Sequence, residues 1–272
     1  METNVIQRQY DDVIARNYDL DPQGITSKSL DLGVDGLSRI DLLAPGQPEL
    51  RVLDLGMGTG MFLEKIMRPE FREIAPFGID LSEGMAEIAR AKIPSLQCHV
   101  DDAANFDAHF LDSSFDLICT HFITGFVSIE HLAPLIFNRL EPGGYWSFIG
   151  SSKASYPRLR QHSNSKLLQL FFGGKDAGTD DLLCPDNEAC LRQHMVETGF
   201  EVVSSDTYEP ELKFASFSDF MEFAYEGGWL TPFVEKLGLQ NLSRPIKAML
   251  NTFVFPMTDH HNILLGIARK PR

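Results

Sequence analysis

The regular alternation of strand-like and helix-like segments between residues 50 and 150 constrains the fold most. Helical patterns follow most of the strand-like runs, which are ELRVLDLG, APFGIDLS, LQCHVDD, SFDLICTHF and YWSFIGSS. Strands that alternate with helices at this spacing indicate βαβ units and a parallel sheet that is covered on both faces. Because such crossovers are right-handed, the carboxyl ends of the strands share one edge of the sheet, where folds of this kind bind ligands.

Outside this region the pattern is less regular. Helices and loops are predicted on both sides of it, with helices over 2–18, 25–43, 157–172, 187–200 and 244–254, a loop over 173–185, and strands over 201–208 and 262–270. The segment before the last strand holds about 50 residues rich in Phe, Trp and Leu. A segment that long inside a compact domain is usually functional, so we interpret it as helices that fold over the ligand-binding edge.

The composition argues against several classes of partner. The 272 residues carry a formal net charge of −14, which disfavours nucleic acids and anionic membranes as main partners. The N-terminus is too polar for a signal peptide, and no apolar run approaches the ~18 residues that span a bilayer. The four cysteines form no CxxC pair, and the Asp259-His260-His261 stretch has no further ligand at a suitable spacing. We therefore expect a cytoplasmic protein with reduced thiols and no metal.

The stretch VLDLGMGTG, residues 52–60, places three glycines directly after the first strand. Gly56, Gly58 and Gly60 alternate with other residues, whereas a dinucleotide-binding GxGxxG loop would have its third glycine at position 61, which is Met61. The GxGxxG turn aims a helix N-terminus at a pyrophosphate. The spacing found here, with Asp54 two residues ahead, suits a ligand that brings no phosphate to the loop.

Acidic residues follow the next two strands. Asp80 closes the second strand, where a carboxylate can accept both hydroxyls of a ribose. Hydrogen bonds to a charged acceptor contribute about 1.5–3 kcal/mol, so Asp80→Ala should weaken nucleoside binding very roughly 10- to 100-fold. Asp101, Asp102 and Ala103 follow the third strand and supply an acceptor for an exocyclic amine on a purine. His121 and Phe122 follow the fourth strand.

Taken in order, five motifs carry a resemblance to a known family. DLGMGTG, GIDLSEGM, VDDAANF, FDLICTHF and LEPGGYW resemble the class I S-adenosylmethionine-dependent methyltransferases over residues 50–150, and the strands near 200–206 and at the C-terminus also fit. The resemblance implies an α/β fold with a three-layer Rossmann-like sheet of about seven strands. That sheet is mostly parallel with the last strand antiparallel, and a helical cap is added to it.

The expected organisation is a single methyltransferase domain over residues 1–272. We expect a helical lid over 1–45, a cofactor-binding core over 50–150, and cap insertions over 151–186 and 208–261. The segment QYDDVIARNYD within the lid is similar to one that many small-molecule members fold across the site, which would place Tyr10 or Tyr18 near the transferable methyl group.

The resemblance also implies how the cofactor, S-adenosylmethionine, is held. The glycine loop would pass under its methionine portion and Asp54 would lie near its amino group, while Asp80 would hold the ribose. Asp102 fits the Gly-Asp-Ala position of the family, but Asp101 replaces the glycine, so either acid can be the one that meets the adenine. The cofactor-binding residues expected on these grounds are Tyr18, Asp54, Gly56, Met57, Gly58, Gly60, Asp80, Leu81, Met85, Asp102, Ala103 and His121.

Methyl transfer from a sulfonium needs alignment and exclusion of water more than it needs a metal. An aromatic-rich cap can provide both, although helical spacing places at least half of its rings in the cap's own core. The substrate pocket is expected at Tyr10, Phe122, Phe220, Tyr225 and Trp229. A hydroxyl acceptor would benefit from a base, for which His121 is the candidate, with a structural hydrogen bond as the alternative. For His260 and His261 we expect a turn or capping role.

The sequence therefore favours methyl transfer to oxygen or nitrogen of a small, fairly apolar metabolite, with S-adenosylhomocysteine as the product. A methyltransferase acting on a macromolecule is one alternative. It is disfavoured by the acidic charge and because Thr120-His121-Phe122-Ile123 stands where a base-reading PPY-type tract would lie. A catalytically silent cofactor-binding protein of the same fold is the other. The acceptor and the oligomeric state are left open.

Overall fold

A computed structural model describes residues 7–111, 113–163 and 183–272. In these ranges the strands are β1 (Leu50–Leu55), β2 (Ile74–Asp80), β3 (Gln97–Val100), β4 (Phe115–His121), β5 (Leu140–Ser151), β6 (Glu201–Tyr208), β7 (Glu211–Phe214), β8 (Met257–His260) and β9 (Ile263–Arg269). Seven of them form one sheet in the order β3-β2-β1-β4-β5-β9-β6. Strand β9 runs antiparallel to both of its neighbours, and the pairs among β1 to β5 are parallel. The predicted seven-stranded sheet with an antiparallel last strand is confirmed.

Helices cover both faces of the sheet and build the cap. They are α1 (Ile25–Arg39), α2 (Met61–Ile66), α3 (Glu83–Lys92), α4 (Phe106–His109), α5 (Ile129–Arg139), α6 (Pro157–Ser163), α7 (Glu188–Thr198), α8 (Phe217–Met221), α9 (Thr231–Leu237) and α10 (Arg244–Phe253). Wider π-type turns occur at Tyr10–Ile14 and Glu222–Glu226, and 3-10 turns at Tyr18–Leu20, Ala103–Asn105 and Leu239–Asn241. No helix in the described ranges is long and apolar enough to pass through a bilayer.

Some predicted segments extend beyond the described residues. The helix predicted over 157–172 is represented by α6, and residues 164–172 lie outside the described ranges, as does most of the loop predicted over 173–185. The first residues of the helix predicted over 2–18 also lie outside them. From residue 7 the chain is helical as far as Ile14.

Local sequence signals account for the ends of two helices. The Ser82 hydroxyl accepts the backbone N–H of Met85 at 3.1 Å and so caps α3, a position that serine favours. Gly199 adopts φ 103° and ends α7, as glycine commonly does at a helix C-terminus. Strand β1 is buried from Val52 to Leu55, because helices pack on both faces of the sheet at its centre.

The sheet changes direction between β1 and β4. The chain runs outward from β1 through β2 to β3, and then returns to place β4 on the other side of β1. A crevice opens at such a switch point, outside the carboxyl ends of the strands. This edge of the sheet carries the candidate site.

The cap contains a feature that the sequence patterns did not predict. Strands β7 and β8 pair antiparallel as a two-stranded ribbon, from Glu211 opposite His260 to Phe214 opposite Met257. The ribbon joins the two ends of the segment that holds α8, α9 and α10. Phe214 is buried at the inner end of the ribbon, among other cap aromatics.

Candidate active site

A cavity opens at the carboxyl ends of β1, β2, β4 and β5, between the N-terminal segment and the cap. Most residues that the sequence points to lie on its wall, namely Tyr10, Tyr18, Gly56, Gly58, Asp80, Leu81, Met85, Asp102, Ala103, His121, Phe122 and Trp229. They come from distant parts of the chain and meet because the parallel strands all end at this edge. The geometry therefore brings the two halves of the expected site, cofactor side and cap side, into one space.

Five of the expected residues lie off the wall. Met57 packs on Ala86 and Ala89 of α3, and Gly60 lies close to the same helix. Their contribution is to hold the loop against the helix.

Phe220 and Tyr225 are likewise not on the wall. Phe220 is buried in the aromatic core of the cap, 5.5 Å from the Phe214 ring centre. The backbone carbonyl of Tyr225 accepts a hydrogen bond from the Gln9 side chain at 2.8 Å. Tyr225 therefore serves to join the cap to the N-terminal segment, while the pocket position expected for it is taken by Gly227 and Gly228.

The glycine loop has one open position. Gly56, Gly58 and Gly60 all have positive φ, a conformation that favours glycine. A Cβ at Gly56 would lie 2.5 Å from the Ile123 side chain, whereas a Cβ at Gly58 would meet only Tyr18, at 3.7 Å. Gly58 also lines the cavity. The backbone at Gly58 is therefore open to close approach by a ligand.

Asp80 stabilises this loop from the end of β2. One carboxylate oxygen accepts the Gly58 N–H at 2.8 Å and the other accepts the Ser82 N–H at 2.9 Å. Burial raises the pKa of Asp80 to about 6, against the opposing effect of these two hydrogen bonds. Each oxygen retains lone-pair capacity, so the carboxylate can still accept from a ligand hydroxyl.

Asp54, the remaining residue off the wall, lies at the end of β1 and is 2% exposed. Its Oδ1 has no hydrogen-bond partner among the described residues. Burial raises the pKa of Asp54 from 3.8 to about 8, and the nearby charge of Asp80 adds to the shift. A buried carboxylate without a partner is costly, and a cationic group placed next to it would relieve that cost.

The two acids after β3 point in different directions. Asp101 accepts hydrogen bonds from the Asn105 side chain and the Asp102 N–H, and lies 2.7 Å from His109 Nε2. Asp102 lines the cavity and accepts the Ala104 N–H at 2.9 Å. Asp101 is thus occupied outside the cavity, and Asp102 is the acid presented to it.

The N-terminal segment is fastened to the cofactor side of the edge. Asp11 accepts hydrogen bonds from the Ser82 hydroxyl and from the Gly84 N–H at the start of α3. Asp19 binds the Thr59 hydroxyl and forms an ion pair with Lys92. These contacts place Tyr18 over Gly58 of the glycine loop, while Tyr10 lies against Phe126 and Gly228, and burial raises the pKa of both phenols.

His121 lies on the wall but is poorly arranged to remove a proton. Its Nε2 lies 3.0 Å from the Ser147 hydroxyl, and its Nδ1 is buried without a partner in the described residues. The ring packs edge-on against Phe62, with centres 4.2 Å apart, and burial lowers its pKa to about 3. This arrangement corresponds to the structural alternative considered for His121.

The cap side of the cavity includes residues that sequence reasoning missed. Ser151, Tyr156 and Arg160 line the wall, together with Ile123, Gly125, Phe126, Val127, Ser152, Ser155, Cys184, Leu230 and Pro232. A signal existed for Ser151, because it ends the fifth strand and strand ends lie at the ligand-binding edge. No comparable signal marked Tyr156. Its backbone adopts a left-handed conformation, with φ 59°, which the sequence does not predict for a tyrosine.

His260 and His261 differ in their surroundings. His260 is exposed on β8. His261 is fully buried, with its Nε2 2.7 Å from the Ser151 hydroxyl. The expected capping function belongs instead to Asp259, whose carboxylate accepts the N–H groups of Arg158 and Leu159 at the start of α6.

Comparison with known proteins identifies a family domain in part of this chain. Residues 52–144 match a family model described as a methyltransferase domain. A dTDP-4-amino-2,3,4,6-tetradeoxy-D-glucose N,N-dimethyltransferase from Saccharopolyspora spinosa is 33% identical over 111 residues, which are 39% of this chain and 42% of that protein. A malonyl-(acyl-carrier protein) O-methyltransferase from Priestia megaterium is 25% identical over 162 residues, 54% of this chain and 56% of that protein. The chain spans about half the length of these curated relatives.

The fold agrees with this match. A candidate methyltransferase from Bacillus halodurans, known from a crystal structure, superposes with a TM-score of 0.55 at 16% identity, covering 86% of this chain and 97% of the other. At that identity the likeness concerns the fold alone. The family match covers β1 to β4 and the start of β5, and the order of the seven strands extends beyond it. Residues 52–144 are a methyltransferase domain, and the sheet that contains them has the fold of the class I S-adenosylmethionine-dependent methyltransferases.

Proposed function

We propose that this chain transfers the methyl group of S-adenosylmethionine to nitrogen or oxygen of a small, fairly apolar molecule and releases S-adenosylhomocysteine. The observation that carries the proposal is the continuous wall from Gly58 through Asp80 to Asp102, with the unpartnered Asp54 oxygen beside it. Each of these positions offers what one part of the cofactor requires.

The residues present fit the cofactor. The Asp54 oxygen suits the ammonium group, and the open side of Gly58 leaves room for the amino-acid portion. Asp80 suits the ribose hydroxyls. For the adenine we assign Asp102 rather than Asp101 as the hydrogen-bond acceptor, because only Asp102 faces the cavity, with Leu81, Met85 and Ala103 as the adjoining wall.

When bound, S-adenosylmethionine supplies a methyl group on a positively charged sulfur that leaves as a neutral thioether. The protein's task is then to align the acceptor and exclude water. Tyr10 and Tyr18 close one side, while Phe122 and Trp229 close the other with their rings 5.0 Å apart. Alignment of this kind can contribute about 7–11 kcal/mol in well-oriented cases.

Two observations support a small acceptor, and a third concerns the acceptor atom. The N-terminal segment meets the cap through the bond from Gln9 to the Tyr225 carbonyl, which helps to enclose the cavity. The net charge of −14 disfavours nucleic acids. The two curated relatives are named for an amino sugar nucleotide and for a malonyl group on a carrier protein, one methylated at nitrogen and the other at oxygen. Those names support both acceptor atoms here.

The experiment begins with binding and proceeds to transfer. Calorimetry should show that the wild-type protein binds S-adenosylhomocysteine at one site. The Gly58→Val variant should show no binding. Purified protein is then incubated with methyl-labelled cofactor and, in separate reactions, with a metabolite extract, bulk RNA and unfolded protein. We expect label in the small-molecule fraction. Label on RNA or protein would replace the proposed acceptor class, and cofactor binding without transfer to any fraction would contradict the proposed activity.

A further inference from the structure

A serine and a buried histidine meet at the cap side of the cavity. Ser151 is the last residue of β5 and lines the wall, and its hydroxyl lies 2.7 Å from His261 Nε2. The sheet register accounts for the pairing, because Ser151 lies opposite Ile263 on β9 and His261 precedes that strand by two residues. His261 lies in the two-residue connection between β8 and β9, so the register of β9 with β5 brings it beside Ser151.

The surroundings of His261 hold its ring in place. It is fully buried, with its ring 4.9 Å from that of Tyr156 and 4.8 Å from that of Trp229, which meets it edge-on. Burial lowers the pKa of His261 to about 3, so the imidazole is neutral at ordinary pH. A neutral imidazole has one donor and one acceptor nitrogen, and the short contact with Ser151 uses one of them to orient the hydroxyl.

Two hydroxyls on this wall remain available for a ligand. Ser151 keeps hydrogen-bonding capacity beyond its contact with His261. The Tyr156 hydroxyl lies 3.4 Å from both ring nitrogens of His261, which is longer than a normal hydrogen bond. Ser152 and Ser155, by contrast, donate to Asn262 at 2.6 and 3.0 Å. Since burial raises the pKa of Tyr156, its phenol stays protonated and can donate.

Aromatic rings adjoin these hydroxyls. Trp229 packs edge-on against Phe122, and both line the cavity. Among the described residues four non-glycine residues have positive φ, and the two aromatic ones, Phe122 at 58° and Tyr156 at 59°, both lie on this wall. Bulky side chains rarely adopt that conformation, so the packing here holds two rings in disfavoured positions.

We propose that Ser151 and Tyr156 bind the hydroxyl or amino group of the methyl acceptor, and that His261 is a positioning residue that fixes the Ser151 hydroxyl. The acceptor class is then a small molecule with an apolar, ring-sized body and one hydrogen-bonding nucleophile. This inference deepens the proposed function and depends on it. The polar hydroxyls supply the hydrogen bonds, and Phe122 with Trp229 supplies the apolar contact.

The chain contains a matched pair for comparison. His121 and Ser147 form a second buried histidine–serine contact on the neighbouring strands β4 and β5, at 3.0 Å. Ser147 is 1% exposed and is not on the cavity wall. Replacement of Ser147 therefore removes the same type of contact without removing a hydroxyl from the cavity.

The test uses phenol, aniline and toluene as probes, because they share a ring and differ in the single attached group. Affinities are measured by calorimetry or ligand-observed NMR on protein saturated with S-adenosylhomocysteine. Wild type should bind phenol and aniline more tightly than toluene, by roughly 3- to 10-fold, which is the range of one net hydrogen bond. Ser151→Ala and His261→Leu should reduce that preference, Tyr156→Phe should reduce it as well, and His261→Gln should restore most of it. Ser147→Ala should keep it.

The outcomes separate this inference from the proposed function. Failure of wild type to bind S-adenosylhomocysteine would contradict the proposed function itself. Binding of S-adenosylhomocysteine with equal affinities for phenol and toluene would overturn this inference alone, as would an unchanged preference in Ser151→Ala. Retained affinity for S-adenosylhomocysteine shows that each variant is folded. Should His261→Leu lose it, Ser151→Ala and Tyr156→Phe still decide the question.

Discussion

The Asp80 carboxylate accepts the backbone N–H of Gly58 at 2.8 Å, and this bond joins the end of β2 to the glycine loop after β1. The second carboxylate oxygen accepts the Ser82 N–H at the start of α3. The Asp80 side chain therefore sets the position of the glycine loop and of the start of α3, the helix that follows β2. Replacement of Asp80 would therefore change ligand affinity in two ways, through loss of a direct contact and through displacement of the glycine loop and α3.

We expect Asp80→Ala to weaken S-adenosylhomocysteine binding roughly 10- to 100-fold, because charged acceptors contribute about 1.5–3 kcal/mol. The free energy of unfolding should also fall, since two N–H groups lose their acceptor. Calorimetry and denaturant unfolding measure the two effects. An affinity of Asp80→Ala for S-adenosylhomocysteine within twofold of the wild-type value would contradict the proposed contact of Asp80 with the ligand.

Gly58→Ala should reduce cofactor affinity by more than tenfold while the protein remains folded. The new Cβ would meet only Tyr18 at 3.7 Å in the protein, but it would occupy the side of the loop that faces the cavity. The backbone strain at φ 54° adds a cost of about 1–2 kcal/mol to stability.

Gly46→Ala is the control for this strain. Gly46 has φ 77°, and a Cβ there would meet nothing within 4 Å. It should lower the melting temperature to a similar extent and leave cofactor affinity unchanged. Equal affinity losses in the two variants would show that strain, rather than the occupied space, accounts for the effect.

Asp54 gives the protein a pH dependence with a definite sign. Its pKa in the folded chain is raised to about 8, so the folded state holds a proton that the unfolded state loses near pH 4. The stability that this proton confers is complete below about pH 4 and is lost as the pH rises to about 8. Asp54→Asn lacks this loss, so its stability advantage over wild type should grow between pH 4 and pH 8 and then level off. Urea unfolding at several pH values measures the difference, and a constant difference would contradict the pKa shift.

Cofactor binding should release that proton. An ammonium group beside Asp54 favours the carboxylate, so binding of S-adenosylhomocysteine at pH 7 should discharge a proton to the buffer. Calorimetry in phosphate and in Tris would report different apparent enthalpies for wild type. Asp54→Asn should show a smaller difference. Identical proton release from the two proteins would place the ammonium group elsewhere.

Asp11→Ala should loosen the N-terminal segment. Asp11 binds the Ser82 hydroxyl and the Gly84 N–H, while its neighbour Asp12 is exposed. Amide exchange in residues 7–20 should become faster and cofactor affinity should fall in Asp11→Ala, whereas Asp12→Ala should match wild type. Equal exchange in both variants would mean that other contacts hold the segment.

His121→Ala should lower thermal stability without changing the pH dependence of methyl transfer. The imidazole packs on Phe62 and binds Ser147, and its unpartnered nitrogen is buried. Ser147→Ala should act in the same direction but more weakly. A pH–rate profile altered in His121→Ala and unaltered in Ser147→Ala would identify His121 as a base after all.

The sheet, and the placement of Gly58, Asp80 and Asp102 on one cavity wall, were predictable because their signals are local. Ser82 as a cap, Gly199 as a helix end and the acids at strand ends are each read from a few neighbouring residues. No local signal in the sequence shows which of Asp101 and Asp102 faces the cavity. The difference depends on His109, which follows on the next helix and lies within reach of Asp101 only in the folded chain.

Part of the cap side, beyond Phe122 and Trp229, escaped prediction for a related reason. Phe220 and Tyr225 have the aromatic character expected of a pocket, yet the turn of the helix places Phe220 in the cap core. Ser151 and His261 are 110 positions apart in sequence and meet only through the register of β5 with β9. Without knowledge of that register, the pairing had no signal in the sequence.

The ribbon of β7 and β8 brings Phe214 and Met257 side by side, so the chain leaves the sheet-bound body and re-enters it at adjacent points. Because β7 and β8 pair at the two ends of this segment, it can be exchanged for a segment of different length without altering the connections of the sheet. Replacement of residues 215–256 would therefore exchange the apolar part of the wall that contains Trp229, while Ser151, Tyr156 and His261 stay in place.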